Sequence, residues 1–215
     1  MKNDNKNDMK NIYEKRARFY NITANLFYVI GFREWAYRKK AVIALGLKPG
    51  DIIVEIGSGT GLNFSLLQNF IGPKGRIIGV DQSNAMLEEA RKKCQRVGWH
   101  NVDLIKCDAS HYKFPDNISG VLATFSIKAM PYYDQIVAKI ARSLPPGRRF
   151  VILDLKRPSW TPNWLRSFII KMLSPFGANH ENASYQPWIS VQNYFEKTDL
   201  EEVYFGVGFI GVGEK

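Results

Sequence analysis

The sequence predicts an α/β fold: a doubly wound, mostly parallel seven-stranded sheet ending in an antiparallel C-terminal hairpin. Three observations point to it. Between residues 41 and 156, short runs rich in β-branched residues alternate with amphipathic segments, the pattern of parallel βαβ units with helices on both faces. Glycine- and proline-rich turns at 48–51, 72–75 and 144–147 punctuate that alternation. Two further short runs around glycines follow in 201–215, and a hairpin there adds an antiparallel pair at one edge.

Each element has a local reason. AVIALGL (41–47) reads as the end of a helix and leads through Lys48-Pro49-Gly50-Asp51 into the run Ile52-Ile53-Val54-Glu55-Ile56, a first strand. The glycine loop 57–61 follows, then the helical stretch LNFSLLQNFI (62–71) and a second strand, RIIGVD, ending in Asp81. Ser83 is placed to cap the helix AMLEEARKKCQRVG, and Gly98 to stop it. VDLIKCDA is a third strand carrying Asp108 at its end, GVLATFS a fourth, YYDQIVAKIARSL a helix and RRFVILDLK a fifth strand. Residues 157–198 form a long aromatic insertion.

With 215 residues, 45% of them hydrophobic, the chain fits one domain and is too apolar for a disordered polypeptide. No apolar run approaches the ~20 residues of a membrane-spanning helix, and the N-terminal MKNDNKNDMKN lacks the apolar centre of a secretory signal. Cys94 and Cys107 form no CxxC pair and are expected to be reduced thiols, so the expected location is the cytoplasm.

The net charge of +10 is uneven: residues 1–50 carry +7 and 140–180 carry +6, whereas 181–215 carry −4. In 12–40 and 160–176 the bases interleave with large apolar groups, and Leu165, Phe168, Ile169, Met172 and Leu173 repeat at helical spacing. Such stripes either pack on the core or form a basic, apolar lip that admits a lipidic substrate or touches a membrane surface. No helix-turn-helix, zinc-finger or RNA-binding signature accompanies the charge, so nucleic acid is not the expected partner.

In a doubly wound sheet, ligands sit at the carboxyl ends of the strands. The first strand runs through Glu55 into Gly57-Ser58-Gly59-Thr60-Gly61, where alternate glycines let the backbone lie close to a ligand. The spacing is GxGxG, not the GxGxxG of dinucleotide binders, and no GxxxxGK[ST] phosphate loop is present. Asp81 is placed to accept hydrogen bonds from ribose hydroxyls and Asp108 from an exocyclic amine, while Glu55 lies beneath the loop, where it could hold backbone amides or attract a cation. Together they describe a site for a phosphate-free, positively charged adenosine.

VEIGSGTG (54–61), IIGVD (77–81), CDA (107–109) and LPPGRRFVILD (144–154) resemble the ordered motifs of class I S-adenosylmethionine-dependent methyltransferases over residues 41–156. ARFYN and GFREWAYRKKAV resemble the lead-in of the ubiquinone/menaquinone C-methyltransferases, much of which phospholipid N-methyltransferases share. The resemblance implies a Rossmann-like methyltransferase fold with S-adenosyl-L-methionine as cofactor and no metal. It assigns Glu55, Gly57, Ser58, Gly59 and Gly61 to the methionine side, Asp81 and Gln82 to the ribose, and Asp108 and Ala109 to the adenine. Phe125 and Ser126 then fall beside the sulfonium and Tyr20 in an N-terminal lid.

Four segments are implied: a helical lid (1–40), the cofactor-binding core (41–156), a substrate-side helical insertion (157–198) and C-terminal strands (199–215). Asn21 stands where the lid usually has Asp, Ala24 where quinone enzymes often have Asn, and Arg148 where the turn usually reads Gly-Gly. The expected acceptor is a hydrophobic small molecule, foremost a quinone precursor. A phospholipid amine and a non-catalytic cofactor-binding module are the alternatives. No catalytic base is assigned: His100, His111, His180, Tyr20 and Tyr185 are candidates only.

Overall fold

The computed structural model describes residues 33–156, 162 and 184–215. Along these residues run α1 (Glu34–Ala44), β1 (Ile52–Ile56), α2 (Phe64–Ile71), β2 (Arg76–Asp81), α3 (Asn84–Val97), β3 (Val102–Lys106) and β4 (Gly120–Thr124). A short 3-10 turn (Ile127–Ala129), α4 (Tyr133–Ser143), β5 (Arg149–Leu155), α5 (Pro187–Tyr194), β6 (Lys197–Val203) and β7 (Gly208–Glu214) complete them.

Seven strands form one sheet in the order β3-β2-β1-β4-β5-β7-β6. The first five are parallel, and β7 runs antiparallel to both β5 and β6. This is the doubly wound arrangement with a terminal hairpin that the alternation predicts. Strand order reverses between β1 and β4, so a crevice opens there at the strands' carboxyl ends.

The central strands read as continuous apolar runs because both faces are covered. Val54, Ile56, Val121, Ala123 and Ile152 pack toward α4 residues Ile136, Val137 and Ile140. Ile53, Leu122, Val151 and Leu153 pack on the other side with Ala41, Val42 and Leu45 and with Phe64 and Leu67 of α2. Ser83 caps α3 by accepting from the Met86 amide at 3.3 Å, and Gly98 ends it in the left-handed region.

Some boundaries differ from the sequence reading. Helix α1 runs through position 40 because Glu34, Arg38, Ala41 and Val42 share one buried face. Strand β3 stops at Lys106, since Asp108 folds into a turn closed by the His111 and Tyr112 amides. Strand β6 starts at Lys197, and α5 lies within the expected insertion.

Strand β6 is an edge strand with mostly exposed side chains. Its Glu201 and Glu202 pair with Lys40 and Lys156, and Lys197 pairs with Glu214 of β7 at 3.1 Å. No described helix is long and apolar enough to cross a membrane. Cys94 is buried, Cys107 is half-buried, and both are free thiols. Tyr20, expected in a lid, His180 and, apart from Pro162, the basic stripe 160–176 lie outside the described residues.

Candidate active site

A cleft open to solvent lies at the carboxyl ends of β1, β2 and β4. It gathers Gly57, Ser58, Gly59, Asp81, Gln82, Asp108, Ala109, Phe125 and Ser126, nine of the twelve positions singled out in the sequence. Glu55 and Gly61 are not in its wall.

The glycine loop is held in place by local constraints. Gly57 has φ +68°, and a Cβ there would lie 2.8 Å from Ser126 Oγ and closer still to Ser126 Cβ. Ser126 cannot easily retreat, because its Oγ donates to the Ile56 carbonyl at 2.8 Å. Gly59 has φ +54° with open space on its Cβ side. Its amide donates to Asp81 Oδ2 at 2.9 Å, while the Ser83 amide donates to Asp81 Oδ1 at 2.9 Å.

Both oxygens of Asp81 therefore carry one backbone hydrogen bond and keep acceptor capacity for a ligand's hydroxyls. Burial pushes its carboxyl above the usual range, opposed by the Ser83 and Gly59 amides. Asp108 Oδ1 accepts from both the amide (2.9 Å) and the hydroxyl (2.7 Å) of Ser110, which sets its carboxylate at the cleft wall.

Glu55 sits one layer below, only 1% exposed. Asn63, not a backbone amide, holds it: Nδ2 donates to Glu55 Oε1 at 2.6 Å, and Oε2 is buried with no hydrogen-bond partner among the described residues. Burial raises its carboxyl to about 7 against the pull of the Asn63 hydrogen bond and the Arg38 and Lys93 cations. Lys93 of α3 donates to the Gly61 carbonyl at 2.6 Å, bracing the loop from the helix side.

Several cleft residues were not foreseen. Arg38 is 4% exposed and donates from Nε to Glu34 Oε1 at 2.7 Å and from Nη1 to Asn63 Oδ1 at 3.1 Å and Thr124 Oγ1 at 2.7 Å. Its guanidinium lies 5.0 Å from the ring centroid of Phe125, whose backbone has φ +51°. Within the basic run 33–40 nothing but the i, i+4 pairing with Glu34 distinguished it. Thr60 and Thr124 directly adjoin positions already singled out, whereas Met130, Pro131 and Tyr132 carried no signal.

The candidate bases fall elsewhere. His100 and His111 are exposed, and Tyr185 lies 4.9 Å from Tyr133 by ring centroids; none lines the cleft. Among the described residues no cluster of His, Cys, Asp and Glu could hold a metal ion.

A sequence model described as the ubiE/COQ5 methyltransferase family matches residues 1–213. The chain belongs to that family. Its relatives include the demethylmenaquinone methyltransferase of Geobacillus stearothermophilus, 27% identical over 96% of this chain and 94% of that one. The protein of the same name from Listeria welshimeri is also 27% identical, over 80% and 76% of the two chains. A solved S-adenosylmethionine-dependent methyltransferase from Aquifex aeolicus shares the fold, with TM-score 0.62, 20% identity and coverage of 82% and 88%. As a ubiE/COQ5 member the protein is an S-adenosylmethionine-dependent methyltransferase.

The cleft's chemistry suits that cofactor. It offers two carboxylates able to accept from hydroxyls or an amine, a glycine backbone at its wall and, just below, the buried Glu55 oxygen that has no hydrogen-bond partner among the described residues.

Proposed function

We propose that this ubiE/COQ5 member methylates a lipophilic quinone precursor, with S-adenosylmethionine seated across the tips of β1, β2 and β4. One observation carries the reading: the cleft changes character along its length. Both carboxylates of the cleft, Asp81 and Asp108, lie on the side of β2 and β3 with Gln82, among Val80, Met86 and Ala109, whereas Met130, Pro131, Tyr132 and Ile136 line the side beyond β4 and bring no charge. A polar seat for a nucleoside thus adjoins an apolar wall for a hydrophobic acceptor. The names of the Geobacillus and Listeria relatives support a quinone.

In this reading Gly57, Ser58 and Gly59 surround the methionyl part, Asp81 and Gln82 take the ribose, and Asp108 and Ala109 take the adenine. Phe125 and Ser126 flank the reacting centre. Glu55 and Gly61 act from below, through Asn63 and the loop backbone, and Tyr20 belongs to the closing lid.

The cofactor supplies an activated methyl group. Because its transfer disperses charge, the chain's task is alignment and exclusion of water around the reacting atoms, and the ring proton that the new C–methyl bond replaces passes to solvent through the open mouth of the cleft. The rigid loop aligns, and the apolar wall beyond β4 keeps the acceptor's surroundings dry. A lipophilic acceptor has to be collected from a bilayer, so the proposal includes peripheral contact with a membrane surface.

The test is methyl transfer from isotopically labelled S-adenosylmethionine to a short-chain demethylmenaquinol, beside phosphatidylethanolamine vesicles, with products identified by mass spectrometry. A new C-methyl on the quinol ring is expected. Label on the lipid amine, or cofactor binding with no transfer to the quinol, would overturn the assignment.

A further inference from the structure

The turn between β6 and β7 goes against local sequence rules. Tyr204 to Val207 join the two strands, and the Val207 amide donates to the Tyr204 carbonyl at 3.0 Å. Tyr204 and Phe205 hold φ of +49° and +53°, ahead of Gly206 at +80°. Phe205 and Gly206 are the central pair of the turn, where Asn-Gly is favoured and a bulky aromatic is a poor first member. Phe205 is nevertheless there, 83% exposed. Strain kept at a surface position points to a use for the side chain on display.

The turn overlooks the same end of the sheet as the cleft. Gly208 of β7 stands opposite Leu155 of β5, and the Lys156 amide donates to the Val207 carbonyl at 2.8 Å. Helix α1 begins at that end too. Its Arg38 meets Thr124 at the end of β4, whereas Leu45, just past the helix, lies beside Gly120 at the start of β4. Lys40 ties α1 to Glu201 of β6. The solvent side of α1 carries Trp35, 45% exposed, and Ile43, 52% exposed, with the exposed Lys39 between them at i+4 spacing.

The charges on this face suit an anionic surface. Glu34, Glu201 and Glu202 are already paired, with Arg38, Lys40 and Lys156. Arg33 and Lys39 are exposed and belong to no ion pair with a described residue. The two runs in which bases interleave with large apolar groups, 12–40 and 160–176, also join the fold here, one through α1 and the other beyond Lys156. Exposed aromatic rings among lysines and arginines match the boundary between lipid headgroups and acyl chains.

We propose that the β6–β7 turn and the outer side of α1 form one docking face for an anionic lipid bilayer, with Phe205 entering the interface and Trp35 and Lys39 beside it. The face turns the mouth of the cleft toward the surface that holds a lipophilic acceptor, and in that respect rests on the function proposed above.

The test is flotation with vesicles of phosphatidylcholine, alone or with phosphatidylglycerol, for the wild type, Phe205→Asn and Lys39→Gln. Thermal melting and methyl transfer to a short-chain quinol in solution accompany it. The wild type should float with the anionic vesicles, and less so as salt rises. Phe205→Asn should weaken that binding roughly tenfold, the worth of burying one aromatic side chain. It should melt no lower than the wild type, because Asn suits the turn. Lys39→Gln should weaken binding roughly fivefold, the worth of one base near an anionic surface. Transfer to the dissolved quinol should be the same in all three.

Phe205→Asn floating as well as the wild type would overturn the proposal. So would a wild type that floats with neither vesicle, or equally with both. Dimerisation abolished by Phe205→Asn, in a protein indifferent to vesicles, would give the face to a second copy instead. Flotation needs no acceptor and the dissolved quinol no bilayer, so a failed quinol assignment shows as lost transfer with flotation intact.

Discussion

Gly57 and Gly59 lie two residues apart in one loop, yet alanine should act on them differently. Both have positive φ, +68° and +54°, so alanine at either pays about 1–2 kcal/mol for a left-handed backbone. At Gly59 little else is added, because its Cβ would enter open space. At Gly57 the Cβ would be driven into Ser126, which is pinned by its hydrogen bond to Ile56 and by the neighbouring Phe125 amide bonded to the Leu153 carbonyl at 2.7 Å. Overpacking of that kind costs about 1–3 kcal/mol more.

Gly57→Ala should therefore lose about 2–5 kcal/mol of stability and Gly59→Ala about 1–2 kcal/mol, read from urea unfolding midpoints at constant slope. Cofactor affinity should rank otherwise: Gly59→Ala, which adds bulk at the cleft wall, should weaken S-adenosylmethionine binding by more than its small stability loss suggests. Equal unfolding midpoints for the two variants would refute the argument that Ser126 dictates the glycine.

Three further outcomes are expected. Asp81→Ala removes the acceptor of the Gly59 and Ser83 amides and the proposed ribose acceptor, so S-adenosylmethionine affinity should fall by about 1.5–3 kcal/mol; unchanged calorimetric affinity would take Asp81 out of the site. Glu55 holds its proton up to about pH 7 when folded, against an ordinary 4.5, so between those values the unfolded chain binds fewer protons and stability falls as pH rises, by up to about 3 kcal/mol. Glu55→Gln should flatten that slope in unfolding curves compared from about pH 5 to about pH 8; the contributions of Asp81 and Asp154, also raised by burial, share its sign and stay. A slope identical to wild type would show that Glu55 is not the titrating group. If the basic apolar segments touch a bilayer, sedimentation with anionic liposomes should weaken as salt screens the surface charge; association indifferent to salt, or none, would leave those segments as core.

The parallel core was legible because its physics is local. β-branched runs, glycine turns and strand-end acids each announce themselves within a few residues, and the glycine loop, Asp81 and Asp108 converge in the cleft as their order along the chain suggested. What escaped was set by long-range packing. Arg38 reaches Thr124 across 86 positions of sequence, and composition reads it as one more base in a basic run. Likewise Glu55 stands at the right strand end, but only the folded chain shows that Asn63 holds it and that Arg38 and Lys93 share its surroundings. Met130 and Pro131 look like ordinary loop residues until strand order brings them beside the cleft.

The acidic last stretch of this otherwise basic chain has a consequence for solubility. An outermost strand with free backbone donors and acceptors is an invitation to intermolecular sheet extension. Here the seven-residue β6 confronts any approaching copy with Asp199 and with Glu201 and Glu202 in their ion pairs with Lys40 and Lys156, so an incoming strand would have to disrupt those pairs and desolvate their charges. Replacing Glu201 and Glu202 by valine would lift that electrostatic guard and should turn a monodisperse preparation toward fibrillar or amorphous aggregates, even with the cleft untouched.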